Sequence, residues 1–150
     1  MTRPLSTKSA ASVSAALRHV RDAEALLAGS VGVAPSPDQA YHLAGFGPEC
    51  ARKATLSQRW ADPAIGHRFD DERALDLLIA LDPHAHRYRP LRWNVRYPEL
   101  SAWNPNCRYD KTGTTTLGRA TSFIRQARDA VTEVVRDLWT DGRLESEALR

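Results

Sequence analysis

Asp38-Gln-Ala-Tyr-His-Leu-Ala-Gly-Phe-Gly-Pro-Glu-Cys-Ala-Arg-Lys-Ala54 is the stretch of this chain that decides its fold. Its small and apolar residues recur at helical spacing, so they share one side of a helix. They are Ala40, Leu43, Ala44, Gly47, Ala51 and Ala54. Because such small side chains let two backbones approach closely, this helix is expected to pack tightly against another helix.

Helical spacing of apolar residues continues on both sides of this stretch. A first helix is predicted over 9–28, and the Pro35-Ser-Pro-Asp38 run predicts the start of a second that reaches about Leu56. A third helix is predicted near 70–81, and a long last helix over 115–140. Since no convincing strand pattern is present, the sequence predicts an all-α bundle of four to five helices.

Length and composition favour one globular domain. The chain has 150 residues, 42% hydrophobic and 26% charged, with a net charge of +3. We predict a helical domain over 9–141, with flexible tails at 1–8 and 142–150. The two cysteines exclude a disulfide scaffold and a four-cysteine zinc site. With no apolar run near the ~20 residues of a membrane span, and no secretory core at the N-terminus, we predict a cytoplasmic protein without membrane association.

A long segment at about 83–113 differs from the helices around it. It is rich in Pro, Asn, Arg and aromatic residues, and it lacks a clean period. The candidate binding residues are Arg87, Arg89, Arg92, Trp93, Arg96, Tyr97, Arg108 and Tyr109. This mixture suits stacking on bases while phosphates are neutralised, and it suits a protein interface equally well. The remaining alternative is that the rings pin the segment to the bundle while the arginines are solvated.

Three smaller patterns have simpler interpretations. Glu49 and Lys53 are four residues apart on a helix, which predicts a structural ion pair. His84-Ala-His86 lacks a third ligand, so no metal and no other cofactor is predicted. Asp110-Lys-Thr-Gly-Thr114 matches the phosphorylation motif of P-type ATPases. The chain has neither their membrane helices nor room for a nucleotide domain, so we interpret the motif as a turn before the last helix.

Three features in order resemble the HEPN family of prokaryotic helical domains. The first is Tyr41-His-Leu-Ala-Gly-Phe-Gly-Pro-Glu-Cys-Ala-Arg-Lys-Ala54, in which Pro48 departs from the usual apolar residue. The second is Gly66-His67 ahead of the predicted third helix. The third is an element with arginine and tyrosine before the long last helix, either Trp93-Asn-Val-Arg-Tyr97 or Arg108-Tyr109-Asp110.

The resemblance implies a bundle of antiparallel helices that is often dimeric. Many members are metal-independent ribonucleases of toxin–antitoxin, CRISPR and phage-defence systems. Their motif, usually in the C-terminal half, is an arginine and a histidine with about four to six residues between them, and the histidine is needed because proton transfer at the 2′-hydroxyl requires a group that titrates near neutrality. That motif is absent, because no histidine follows His86. The nearest approximation, Arg59 with His67, has seven intervening residues.

The sequence therefore favours a non-catalytic HEPN-like partner or regulatory subunit in a toxin–antitoxin or phage-defence type system. Its expected partners are a second copy of the chain, a nucleotidyltransferase or effector encoded in the same operon, and RNA as a further ligand. One alternative is a divergent metal-independent ribonuclease, for which His67 is the catalytic candidate. The other is a nucleic-acid-binding module that uses the 87–109 segment.

Overall fold

The computed structural model describes residues 3–56, 66–67, 80, 87–88 and 93–145, and in this part of the chain the regular structure is helical. The helices are α1 (Thr7–Ala28), α2 (Pro37–Ala54), the short α3 (Trp93–Arg96) and α4 (Leu117–Thr140). Two 3₁₀ helices, η1 (Pro98–Ala102) and η2 (Pro105–Tyr109), lie between α3 and α4. The predicted all-α class is confirmed. The third helix predicted near 70–81 lies outside the described residues, apart from residue 80, which is helical.

Among the helices that the structure describes, α1 and α2 have the most extensive contact. The small face predicted for α2 is buried: Ala40, Ala44, Ala51 and Ala54 are fully inaccessible. A Cβ on Gly47 would lie 2.8 Å from Val20 Cγ2 and 3.3 Å from the Ala16 carbonyl oxygen. Because that space is already occupied, glycine at this position sets how closely α1 can approach.

Helix α4 closes the bundle by packing on both α1 and α2. Thr116 caps its first turn by accepting a hydrogen bond from the Arg119 backbone N–H. Its buried stripe consists of Ala120, Phe123, Ile124, Ala127, Ala130, Val131, Val134 and Leu138. Leu117, which the periodicity places on the apolar face, is 56% exposed, because the first residue of the helix lies beyond the edge of the core.

The two described ends of the chain contact each other. The Leu5 backbone N–H donates to the Arg143 carbonyl at 3.0 Å, and Arg143 Nε donates to the Arg3 carbonyl at 3.1 Å. Leu144 is buried. Helix α1 begins at Thr7, two residues before the predicted start, with Ser6 as its cap. No helix in the ranges that the structure describes has the length and apolarity needed to cross a membrane.

Candidate functional site

The aromatic rings of the 83–113 segment attach it to the bundle. Trp93 is 3% exposed, Trp103 is 5% exposed, and Tyr88 is also buried. The Trp103 indole lies directly on Gly45 of α2, where a Cβ would stand 2.0 Å from a ring carbon. Trp103 Nε1 also donates to the His42 carbonyl at 3.1 Å. These three rings therefore position the segment and leave no free face for a ligand.

Two of the candidate arginines form ion pairs with residues near the end of α4. Arg96 contacts Glu133 at 2.6 Å, and the Tyr97 hydroxyl donates to the same carboxylate at 3.0 Å. Arg87 pairs with Asp141, which also accepts a hydrogen bond from the Tyr88 hydroxyl.

The pKa values reflect these contacts. The hydrogen bond from Tyr88 and then the Arg87 guanidinium hold the pKa of Asp141 below its ordinary value, although burial opposes them. Burial and the hydrogen bond to Glu133 raise the pKa of Tyr97. Asp141 and Glu133 thus hold the Arg87 and Arg96 side chains in place. The two ion pairs help to attach the segment to the bundle.

Arg108 and Tyr109 are arranged differently. Tyr109 is 75% exposed, and the Arg108 guanidinium carbon lies 4.7 Å from the centre of its ring. This contact is a cation–π pair at the surface, at the end of η2. Lys111 follows in the next turn and is exposed. Arg87 and Arg96 are exposed too, but each is paired with a carboxylate, and Arg89 and Arg92 lie outside the described residues.

The last turn of the segment is fixed by Asp38 of α2. Its carboxylate accepts the backbone N–H groups of Gly113 and Thr115, each at 2.7 Å. These two hydrogen bonds hold the pKa of Asp38 below its ordinary value. The ATPase-like motif is therefore a turn, with Gly113 at φ 88° next to the start of α4, as the sequence predicts.

A thiol–imidazole pair lies beside the exposed Arg108–Tyr109 pair. His42 Nδ1 of α2 is 3.3 Å from Cys107 Sγ of η2, and both residues are partly buried. On the α4 side, the Arg119 guanidinium carbon lies 5.0 Å from the centre of the Tyr41 ring. The His42–Cys107 contact joins η2 to α2, and the Trp103–Gly45 contact joins the preceding residues to the same helix.

The Glu49 carboxylate contacts two side chains, the predicted Lys53 and also His67. Lys53 Nζ is 2.7 Å from Oε1, which is the ion pair that the sequence predicts. His67 Nδ1 also lies 3.0 Å from each of the two carboxylate oxygens. Glu49 is 4% exposed, while the His67 side chain is 55% exposed. A buried carboxylate thus orients a histidine that reaches the surface.

Phe46 lies between the two histidine sites. Its ring centre is 5.2 Å from that of His42 and 6.4 Å from that of His67. The His19 ring is 5.6 Å away, and its buried Nδ1 has no hydrogen-bond partner among the residues that the structure describes. Burial and then the Arg18 charge lower the pKa of His19. No group of three or more metal-ligating side chains is present in the described ranges.

No sequence motif marks His42 or Cys107 as site residues. Their 65-residue separation gives no local pattern, and only the packing of η2 on α2 brings them together. Comparison with known proteins adds no further assignment: no family model, no curated protein and no solved structure matches this chain.

Proposed function

We propose that this chain is a non-catalytic HEPN-like partner or regulatory subunit of a toxin–antitoxin or phage-defence type system, acting in the cytoplasm. Its binding surface is the exposed end of η2, formed by Arg108 and Tyr109 with Lys111 beside them. The order of sequence motifs and the helical bundle support the family. The missing arginine–histidine motif supports the non-catalytic role.

The exposure of Tyr109 is the observation that carries this proposal. Tyr88, Trp93 and Trp103 of the same segment are buried, whereas Tyr109 leaves 75% of its surface in solvent under a neighbouring guanidinium. Arginine and tyrosine are the residues that most often dominate the binding energy of a protein interface. An amphipathic ring held at a surface by a cation suits such a contact.

The balance of charges favours a protein partner over RNA. Two of the predicted cationic residues, Arg87 and Arg96, are neutralised by Asp141 and Glu133. Since affinity for RNA comes largely from neutralising phosphates, their loss leaves a smaller cationic surface around Arg108. An exposed tyrosine with a guanidinium above it combines two of the residue types that are enriched among interface hot spots.

A second copy of the chain is the expected partner at another surface. An open groove of about 440 Å³ between α1 and α4 is lined in part by Leu27, Leu117 and Ile124. Glu24 and Arg125 lie in the same groove, so two copies related by a two-fold axis can pair acid with base twice. Light scattering after size exclusion tests this: the expected result is a dimer that Leu117→Asp, at a groove residue that is 56% exposed, converts to a monomer, and a wild-type monomer would refute it.

The central experiment measures complex formation with the products of the neighbouring genes. We expect a purified complex whose affinity falls about 30-fold in Tyr109→Ala, as for a hot-spot residue. Trp139→Ala is the matched control, because Trp139 is an aromatic residue that is 48% exposed near the other end of α4. It lies about 30 Å along the helix from Arg119. Equal affinity of the Tyr109→Ala complex and the wild-type complex would refute this surface.

RNA binding is the other outcome of the same experiment. Single-stranded RNA that binds with a strong salt dependence, and more weakly in Tyr109→Ala, would favour the nucleic-acid-binding alternative. A protein complex that persists at high salt without RNA would support the proposal.

A divergent ribonuclease is the second candidate, and one observation favours it. His67 is oriented by the buried Glu49 carboxylate, and a histidine held this way can act as a general base. The test is RNA cleavage in the presence of a chelator, by wild type, His67→Ala and Glu49→Gln. We expect no cleavage by any of them. Cleavage by wild type that both variants lose would replace the non-catalytic proposal.

A further inference from the structure

Cys107 and His42 form a pair whose geometry is fixed from both sides. The Cys107 backbone N–H donates to the Asn104 carbonyl at 3.2 Å, and its own carbonyl accepts the Asp110 N–H at 3.1 Å. The His42 carbonyl receives the Trp103 indole N–H at 3.1 Å. Because each backbone is held, the 3.3 Å distance between Nδ1 and Sγ belongs to a preorganised pair.

The protonation states of this pair follow from its surroundings. Burial and then the Asp110 charge raise the pKa of Cys107, while the Arg119 charge lowers it. Burial and then the Arg108 charge lower the pKa of His42. Both shifts favour a neutral thiol beside a neutral imidazole, and in the tautomer that carries its proton on Nε2 the Sγ–H group donates to Nδ1. A thiol of this kind needs a base before it can react, and the base lies within reach.

Cations from two elements lie around this pair. Arg108 follows Cys107 in η2 and acts on His42, and Arg119 comes from the first turns of α4 and acts on Cys107. The acid close to the thiol is Asp110, and Tyr41 is also near. One guanidinium group near the thiol and one near the imidazole attract an anionic reagent to the pair and repel a cationic one.

We propose that Cys107 is a thiol–disulfide exchange site for small anionic disulfides, with His42 as its general base. In the exchange, the Cys107 S–H bond breaks and its proton moves to His42 Nδ1. Sγ attacks one sulfur of the disulfide, so a new S–S bond forms while the old one breaks. The leaving thiolate takes the proton back from the imidazolium, and the products are a mixed disulfide at Cys107 and one free small thiol. This inference does not depend on the proposed binding function.

The first measurement compares the two thiols of the folded protein, since Cys50 is the other cysteine of the chain. Cys50→Ser leaves Cys107 to react, and Cys107→Ser leaves Cys50. The probe is dithionitrobenzoate, a dianionic disulfide that releases a coloured thiolate. We expect Cys107 to react at least about tenfold faster than Cys50, because general-base assistance is worth that much or more.

The second measurement tests the base. In the Cys50→Ser background, His42→Asn keeps a polar group near Sγ but removes the proton acceptor, so the rate at neutral pH should fall about tenfold or more. The shape of the pH profile should also change. With His42 the rate persists below the thiol pKa until the imidazole is protonated, whereas in the variant it rises only as thiolate forms. A merely structural role for His42 would leave this shape unchanged.

The third measurement tests charge selection, with cystamine as a dicationic disulfide whose adduct is followed by mass spectrometry. Arg108→Gln and Arg119→Gln should each lower the ratio of the dithionitrobenzoate rate to the cystamine rate. Circular dichroism of each variant shows whether it is folded. The proposal is overturned if Cys107 reacts no faster than Cys50, if His42→Asn keeps the rate and profile of the parent, or if both reagents respond equally to the arginine substitutions.

Discussion

Gly45→Ala is the substitution that tests most directly how the arginine and aromatic segment is attached to the bundle. Gly45 lies on α2 under the Trp103 indole, and a Cβ there would stand 2.0–2.2 Å from three ring atoms. Because nonbonded carbon atoms prefer about 3.5 Å or more, the ring must move by about 1.5 Å or leave its position. The Gly45 backbone cannot yield in its place, since it is part of a helix packed on α1 and α4.

The expected cost follows from what the indole would lose. Trp103 is 5% exposed, its ring centre is 5.0 Å from that of Phe46, and its N–H bonds to the His42 carbonyl. Complete loss of a buried tryptophan contact costs about 3–5 kcal/mol. Alanine in place of glycine within a helix returns about 1 kcal/mol. We therefore expect Gly45→Ala to lower the free energy of unfolding by about 2–4 kcal/mol.

Urea unfolding followed by circular dichroism measures this change, and Gly118→Ala is the matched control. Gly118 is also a helical glycine, but a Cβ there meets nothing within 4 Å. Gly118→Ala should leave the free energy of unfolding unchanged or raise it by up to about 1 kcal/mol. The two substitutions are chemically identical, so the difference between them isolates the contact with Trp103.

A double-mutant cycle supplies the outcome that would refute this reasoning. In the Trp103→Ala background the space above Gly45 is open, so Gly45→Ala should be neutral or stabilising by up to about 1 kcal/mol. If Gly45→Ala costs the same in both backgrounds, the clash with the indole is not the cause. A Gly45→Ala protein as stable as the wild type would contradict the packing of the segment on α2.

Two further predictions concern single hydrogen-bonding groups. Asp38→Ala should cost about 1 kcal/mol, at the low end for a partly exposed carboxylate, because the N–H groups of residues 113 and 115 lose their acceptor. The pKa of Asp38 is lower in the folded state, so its contribution to stability is present above the ordinary pKa of 3.8 and is lost as the pH falls through the folded-state pKa. Urea unfolding curves of wild type and Asp38→Ala should therefore converge in acid. A gap that stays constant with pH would contradict this. Tyr97→Phe should also lower the free energy of unfolding by about 1 kcal/mol, because it loses the hydrogen bond to Glu133. Tyr109→Phe, on an exposed ring, should change it by no more than about 0.5 kcal/mol. Equal effects of the two substitutions in urea unfolding would contradict the different roles of these rings.

The helices could be predicted from the sequence because their signals are local. The small face of α2 repeats at helical spacing, and every alanine predicted on it is inaccessible in the structure. The structure places the end of α4 at Thr140, where the Asp141-Gly142 pair predicts it. Boundaries differ by two residues where a cap decides them, as at Ser6 before α1 and Thr116 before α4.

The candidate site could not be predicted in the same way because its contacts join distant residues. Gly45 is adjacent to the small face in sequence, but the indole that requires it comes 58 positions later, from Trp103. The Glu49–Lys53 pair was predictable because its members are one turn apart. The contact of Glu49 with His67 was not, because the chain between them has no helical period that would bring the two together.

Two arginines in similar sequence motifs have different roles because of residues that are distant in the sequence. Arg96 and Arg108 each precede a tyrosine in the same segment. Arg96 meets Glu133, which lies 37 positions away on α4, so its charge is used within the protein. Arg96 and Arg108 each lie over the ring of the tyrosine that follows, at 5.2 and 4.7 Å, but Tyr97 is partly buried and hydrogen-bonded to Glu133, whereas Tyr109 is 75% exposed. The position of the acids on α4, and not the motif around each arginine, therefore decides which Arg-Tyr pair is available to a partner. Removing the Glu133 charge would make a second such pair available, beside α3.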